Sequence, residues 1–413
     1  MARIAVIYSL LLVSMAASCG RVPETGQQTI ATSPKRDAAP ADREVTMHYT
    51  WRATPDSLHL YLLFSDVSRL AELQRTATSL SYVVAGQNNT VLLKDTVQVV
   101  KPSQPGEEDG ILLDISIPTS VVSDANTLQL KLWQKFAGEA TMHTTFKLQL
   151  QGAMLDKTQV VSGASSKKPL IRNYSITSDT LVLDGIDTTS SMQVYYFNAH
   201  FAPALPPMST RKEAIAPTLK PLDSLTIVAN QVFVLEKEGL YLLWADKPYA
   251  SGLLVKNWYY PKVTMAKEML EPLIYLTTST ERERLLQAKE PKKAVDDFWL
   301  SVAGEKHLAR ELIRTYYGRV EHANKLYTSH KPGWATDRGM IYLVYGPPSD
   351  ISKVGNTETW IYRESEMHPY TKFVFTKKRN NFTENHYELI RHREYEESWY
   401  SAVAKWRAGI TDM

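Results

Sequence analysis

Cys19 is the one cysteine in 413 residues, so the chain has a single thiol for covalent chemistry. Ser165 and Lys168 satisfy the S-x-x-K spacing of serine acyl-enzymes. That spacing needs a helix start to aim the serine at the lysine. Here it falls in the stretch SGASSKKP, with no S-D-N or K-T-G companion, and reads as a chance match. His386, Glu388 and His392 share the parity of one strand face, a pattern that can gather metal ligands. An isolated trio of this kind is more often solvent-facing polarity. Asp296 and Asp297 are adjacent on a helical stretch, point about 100° apart and form no acid–base pair by themselves. The chain has no G-x-S-x-G elbow, no H-E-x-x-H, no P-loop and no G-x-G-x-x-G after a strand. No catalytic residue, metal-ligand set or cofactor is expected.

The cysteine closes a short apolar run. Arg3 supplies a positive start, residues 4–13 form an apolar core of ten residues, and residues 14–18 are small or flexible. Residues 1–18 read as a secretory signal whose core is too short to span a bilayer. A cysteine at the cut site, with none elsewhere, resembles the lipobox of bacterial lipoproteins. Ala16 stands at the position where that pattern prefers leucine. The resemblance implies that Cys19 becomes the lipidated, palmitate-carrying N-terminus. Each buried methylene contributes about 0.8 kcal/mol, and two or more chains give stable attachment. Residues 19–43, rich in Pro, Ala, Thr and charge, read as a disordered tether. The acidic run that marks some surface-exported lipoproteins does not follow Cys19, which favours the periplasmic face of the outer membrane.

No thiol remains after the anchor, so disulfides, zinc–thiolate sites and a cysteine nucleophile are excluded from the body. Packed cores must supply its stability, and the length allows roughly two or three domains. A net charge of +3 gives no case for nucleic acid. Nine tryptophans and 22 tyrosines suit β-sandwich cores or interfaces.

Residues 44–152 carry a period of two through seven short segments separated by turn clusters, which predicts an antiparallel β-sandwich. Residues 162–169 read as a linker. Residues 170–263 are strand-rich again and predict a second β-domain, interrupted by a Pro-rich loop. From residue 264 to 413 the pattern is α+β. Thr280 with Glu283 predicts a capping box, Pro291 opens a helix that Gly304 ends, and a long amphipathic helix follows over roughly 305–327. Strands are then predicted at MIYLVYG (340–346), TETWIYR, TKFVFTK and HYELIRH, with a last helix near 394–408. Lys377 to Asn381 reads as a charged, solvated hairpin tip. The expected fold class is mixed: two antiparallel β-sandwich-like domains, then an α+β domain of helices and a small antiparallel sheet.

Between the long helix and the first of those strands lies Gly333-Trp334-Ala335-Thr336-Asp337-Arg338-Gly339. This resembles the GWxTD motif of the GWxTD-domain proteins of Bacteroidota and related bacteria. Phe298-Trp299 match the family's upstream aromatic pair. Tyr316, Tyr317, Arg319, Val320, Ala323 and Asn324 match its helix, Gly346-Pro347-Pro348 and Ile351 its turn, and Glu358, Trp360 and Tyr362 its following strand. The resemblance covers residues 294–391 and implies no defined biochemical role. Physically the motif reads as a connector. Trp334 can pack back onto the helix, Thr336 and Asp337 can bond local N–H groups, and Asp337 can pair with Arg338. Gly339 permits tight entry into the next strand. Gly333, Trp334, Thr336, Asp337 and Arg338 are thus a candidate structural motif and, failing that, a binding groove.

The anchor, the tandem β-domains and the missing catalytic constellations together point to a lipid-anchored envelope protein. The expected role is a non-catalytic scaffold or accessory subunit that binds other envelope proteins of an outer-membrane assembly, with no nucleic acid. A periplasmic carbohydrate or peptidoglycan binder using exposed aromatics is the alternative. An enzyme centred on residues 334–338 is a third class.

Overall fold

The computed structural model describes residues 45–66, 69–101, 110–138, 141–185, 187–198, 200–211, 219–363 and 370–410. The signal, Cys19 and the tether lie outside the described residues.

The first region is built from β1 (Thr46–Ala53), β2 (Ser57–Ser65), β3 (Ala77–Ala85), β4 (Val91–Gln98), β5 (Ile111–Pro118), β6 (Thr127–Lys135) and β7 (Thr141–Gln149). They form two antiparallel sheets, ordered β1-β2-β5 and β4-β3-β6-β7. The period of two becomes a packed interior: Leu58, Leu60, Leu62 and Phe64 of β2 face Leu80, Val84, Leu128, Leu130 and Leu132, all fully buried. Each such side chain contributes about 1.5–3 kcal/mol. A short helix, α1 (Leu70–Thr76), sits where no helix is expected. It buries Leu73 and Gln74, and the Gln74 amide donates to the Gly110 carbonyl at 3.3 Å.

The second region holds β8 (Gln159–Gly163), β9 (Tyr174–Ile176), β10 (Leu181–Gly185), β11 (Ser191–Phe197), β12 (Asp223–Val228), β13 (Val232–Phe233), β14 (Gly239–Leu243) and β15 (Ser251–Lys256). Its sheets run β13-β10-β8 and β12-β11-β14-β15-β9, with β9 parallel to β15. The stretch read as a linker is instead a paired turn. Ser162 bridges Pro169, and Gly163 N–H donates to the Lys168 carbonyl at 3.0 Å. Its first two residues end β8, which pairs with β10.

Lys157 joins the two regions. Its ammonium lies 4.5 Å from the Trp51 ring centroid and 4.3 Å from that of Trp244, and donates to the Thr50 hydroxyl. Burial pushes the ammonium down to about 7, while the two indole faces favour its charged form.

The C-terminal region comprises α2 (Ala266–Leu270), α3 (Ser279–Leu286), α4 (Pro291–Ala303), α5 (Lys306–Tyr327), α6 (Asp337–Tyr345), the antiparallel sheet β16-β17-β18-β19 (Asp350–Val354, Thr357–Tyr362, Thr371–Lys377, Tyr387–Leu389) and α7 (Tyr395–Arg407). The mixed fold class holds: sheets that are antiparallel apart from the β9–β15 pair come first, then helices with a small antiparallel sheet.

Two local expectations shift. The capping box forms at Thr278 with Glu281, not at Thr280 with Glu283. Both pairs have the right spacing, but Thr278 is the extended residue before the helix, and Thr280 already lies inside it. MIYLVYG is a helix, not a strand. Its apolar run is buried on every side, and such a run carries no period that separates strand from helix. Thr336 decides the matter by capping the turn, its hydroxyl accepting from Gly339 N–H.

An aromatic cluster holds these elements. Trp299, Tyr316 and Trp406 are fully buried with ring centroids 5.2–6.4 Å apart. The Tyr316 hydroxyl donates to the Pro272 carbonyl at 2.6 Å, and the Trp406 indole donates to the Val344 carbonyl at 2.9 Å. The Lys377–Asn381 tip is largely solvated, with Lys378, Arg379 and Asn381 exposed, and the chain docks only beyond it. Just past it, Phe382 accepts from Gly252 N–H on β15 at 2.7 Å, and its ring meets Phe197 edge-on at 5.3 Å.

Trp51→Leu removes one face of the Lys157 cage and should lower stability in a urea melt. Lys157→Met in that background should return part of the loss, with a coupling of about 1–2 kcal/mol. Strictly additive losses would contradict the cage.

Candidate functional site

Pro332 leads into a single 3-10 turn over Gly333–Ala335, and α6 starts at Asp337. Every residue from Gly333 to Arg338 is buried. The turn is pressed onto α5. A Cβ at Gly333 would overlap the Ala323 carbonyl, and one at Gly339 would overlap the Gly333 carbonyl, so both glycines are needed for close approach. Asn324 fixes the turn from α5: its Oδ1 accepts from Trp334 N–H at 3.2 Å, and its Nδ2 donates to the Pro261 carbonyl at 2.8 Å. The Trp334 ring packs edge-on against Tyr275 at 6.2 Å. Ala335 accepts from Ala204 N–H at 2.9 Å, tying in the segment after β11.

Asp337 and Arg338 do not pair with each other. As neighbours in the first helical turn they point apart, and each reaches a different part of the sheet. Asp337 Oδ2 accepts from Leu389 N–H at 2.6 Å, and Oδ1 meets Arg391 Nη2 at 2.5 Å. Arg391 also donates to the Leu205 carbonyl at 3.1 Å. The Asp337 bonds are therefore long-range, where local ones are expected from the sequence. Arg338 donates to the Asn385 carbonyl at 2.9 Å and to its Oδ1 at 2.5 Å. It meets Glu358 Oε2 at 3.4 Å. Its guanidinium lies 4.1 Å from the Tyr387 ring centroid and 5.0 Å from that of Tyr327.

Burial raises the Glu358 carboxyl, but Arg338, Lys353 and the Trp360 indole N–H outweigh it and hold the group below the usual glutamate range. At the other end of α6, Arg319 donates to the Leu343 and Val344 carbonyls at 3.1 and 3.2 Å and stacks 5.0 Å from Trp406. A cation at a helix C-terminus complements the dipole. Both ends of α6 are thus fixed by charged side chains.

The other candidates do not assemble into chemistry. His386 meets Glu388 at 3.3 Å, but His392 turns to Tyr395. His330, unread from the sequence, packs 5.0 Å from His386, and burial, then His386 and Lys331, push it down to about 3. Asp296 and Asp297 pair with Lys292 and Lys293 one turn earlier. Ser165 is exposed in the paired turn. Among the described residues, no group of three or more His, Cys, Asp or Glu side chains is placed to hold a metal ion. Sequence reasoning missed Asn385 and Arg391 as partners of the motif. They lie 47 and 54 residues beyond it, and no local pattern marks them.

Residues 239–408 match the family model of the GWxTD domain. The chain carries a GWxTD domain. The matched span opens at β14, so it takes in β15, onto which Phe382 docks. Among solved structures, a Salmonella alpha-2-macroglobulin aligns with 55% of this chain at 11% identity and a TM-score of 0.18. The aligned part spans 17% of that protein's length, and a likeness at this level carries no argument. No curated protein matches the chain. None of these comparisons indicates a catalytic family.

Gly339→Ala should cost about 1–3 kcal/mol in a urea melt. Gly318→Ala, in the middle of α5 with open space around it, should instead add about 0.5–1 kcal/mol. Glu358 has a depressed carboxyl, so its contribution is present above roughly pH 4.3, the unfolded value, and is lost as pH falls through the folded one. A Glu358→Gln protein should therefore be less stable at neutral pH and lose less of its melting temperature on acidification than the parent.

Proposed function

We propose that the protein is a lipid-anchored component of the cell envelope that binds other envelope proteins without catalysis. The observation that carries this reading lies on the second β-region. β12 and β13 each form one edge of its two sheets and are joined by residues 229–231. Leu222 is 68% exposed and Val232 is 64% exposed, and Leu225 and Val234 are exposed beside them in sequence. Apolar side chains on and flanking these edge strands suit capture of a partner segment by strand addition. The motif turn offers little to a ligand, because its polar groups are engaged inside the fold. Attachment through Cys19 supports an envelope address, at the periplasmic face of the outer membrane. Among the described residues, no helix is long and apolar enough to cross a membrane, which says nothing of a strand-built span.

The carbohydrate-binding alternative has one observation in its favour. Trp258 is 71% exposed beside Tyr259, with ring centroids 5.4 Å apart. The other eight tryptophans are buried or half-buried, so this is a lone platform rather than a lined groove.

A photo-crosslinking residue at Leu225 should trap a discrete partner in intact cells, while one at exposed Lys292 should not. Cys19→Ser should abolish labelled-palmitate incorporation and release the protein from the membrane fraction. Equal crosslinking at both positions, or unchanged fractionation, would remove the basis of this reading.

A further inference from the structure

A cleft of about 450 Å³ opens between the β1-β2-β5 sheet, the segment linking β8 to β10, and the C-terminal half of α5. Its size falls within the range of small-molecule sites, roughly 300–1,000 Å³. One wall is set by strand register. His48, Leu63 and Leu112 are direct cross-strand partners, so they stand in a row on one sheet face. Burial, then the charges of Lys353 and Arg338, push His48 down to about 4, so this wall carries no charge near neutral pH.

The charges come from the other side. Arg172, Lys168 and Lys325 supply three cations, and among the described residues Asp179 is the one carboxylate lining the cleft. Lys325 also meets Glu321 at 2.9 Å. Arg172 is held in place: its Nη2 donates to Asp179 at 2.6 Å, and its guanidinium stacks 5.0 Å from the Tyr174 centroid. Asp179 is itself fixed by the Ser175 hydroxyl at 2.7 Å and the Ile176 N–H at 3.0 Å. Among the described residues, Arg172 Nε and Nη1 make no hydrogen bond. These N–H groups lie on different edges of the guanidinium, and either can donate a charge-assisted bond to an oxyanion.

We propose that this cleft binds an anionic amphiphile, with its carboxylate or equivalent oxyanion on Arg172 and its apolar body along Leu63 and Leu112. The site is separate from the edge strands invoked above, so either reading can fail alone. Asp179 acts as a positioning residue for Arg172.

The test is isothermal titration of the full-length protein with octanoate, acetate and 1-octanol. Octanoate should bind saturably at one site. Acetate, which lacks the body, and 1-octanol, which lacks the charge, should bind at least about tenfold more weakly. Arg172→Gln should weaken octanoate by about tenfold or more, as loss of a charge-assisted bond entails. Leu112→Glu alters a half-buried position on the opposite wall and leaves the Arg172–Asp179 pair intact. It should abolish octanoate binding with an unchanged circular dichroism spectrum. No saturable heat, equal binding of acetate or 1-octanol, or parental affinity in folded Leu112→Glu protein would each overturn the proposal.

Discussion

Asp337 sits in the first turn of α6, where the helix dipole favours a carboxylate, and both its oxygens are taken up across the domain. One accepts the Leu389 N–H of β19, and the other meets the Arg391 guanidinium. The carboxylate and its cation are largely out of water, at 4% and 14% side-chain exposure. Removing one partner of such a pair leaves an uncompensated charge, at a cost of about 3–5 kcal/mol. The neighbouring side chain does the same in the opposite sense, since Arg338 reaches Glu358 on β17 and Asn385 before β19. Two adjacent residues of opposite charge thereby fasten one helix to two strands.

The remaining motif residues make that fastening possible. Gly333 and Gly339 let the turn lie against α5 and against itself, Asn324 takes the Trp334 N–H, and Thr336 caps the helix. The residues of α5 that resemble the family helix also have structural work. Tyr316 and Tyr317 bond the carbonyls of Pro272 and Met269, and Arg319 closes the far end of α6. The motif is thus one side of a continuous polar network inside the domain. The surfaces proposed for partner and ligand recognition lie elsewhere, at the exposed edge strands and in the cleft beside Arg172.

Much of this was legible from residue order, for physical reasons that differ by region. The alternation in LHLYLLFS can satisfy a strand with one buried face and little else, and β2 buries that face completely. The four-residue recurrence of Leu312, Tyr316 and Val320 could only be a helix stripe, and all three are fully buried. Ile341 to Val344 were illegible because burial on every side erases the period that separates strand from helix. The partners of Asp337 were illegible because side-chain pairing across some 50 residues depends on tertiary closure. Sequence proximity suggested Arg338, and the first-turn geometry sent the two side chains apart. The capping box was misplaced by two residues because Thr278 and Thr280 both carry a glutamate three positions on.

The most direct test of the central claim is native-state hydrogen exchange on an Asp337→Asn protein, which keeps the shape of the side chain and removes its charge. If Asp337 fastens α6 to the sheet, protection at the Leu389 amide and at the α6 amides should fall together, by roughly a hundredfold or more. Protection within about twofold of the parent at both places would contradict the account.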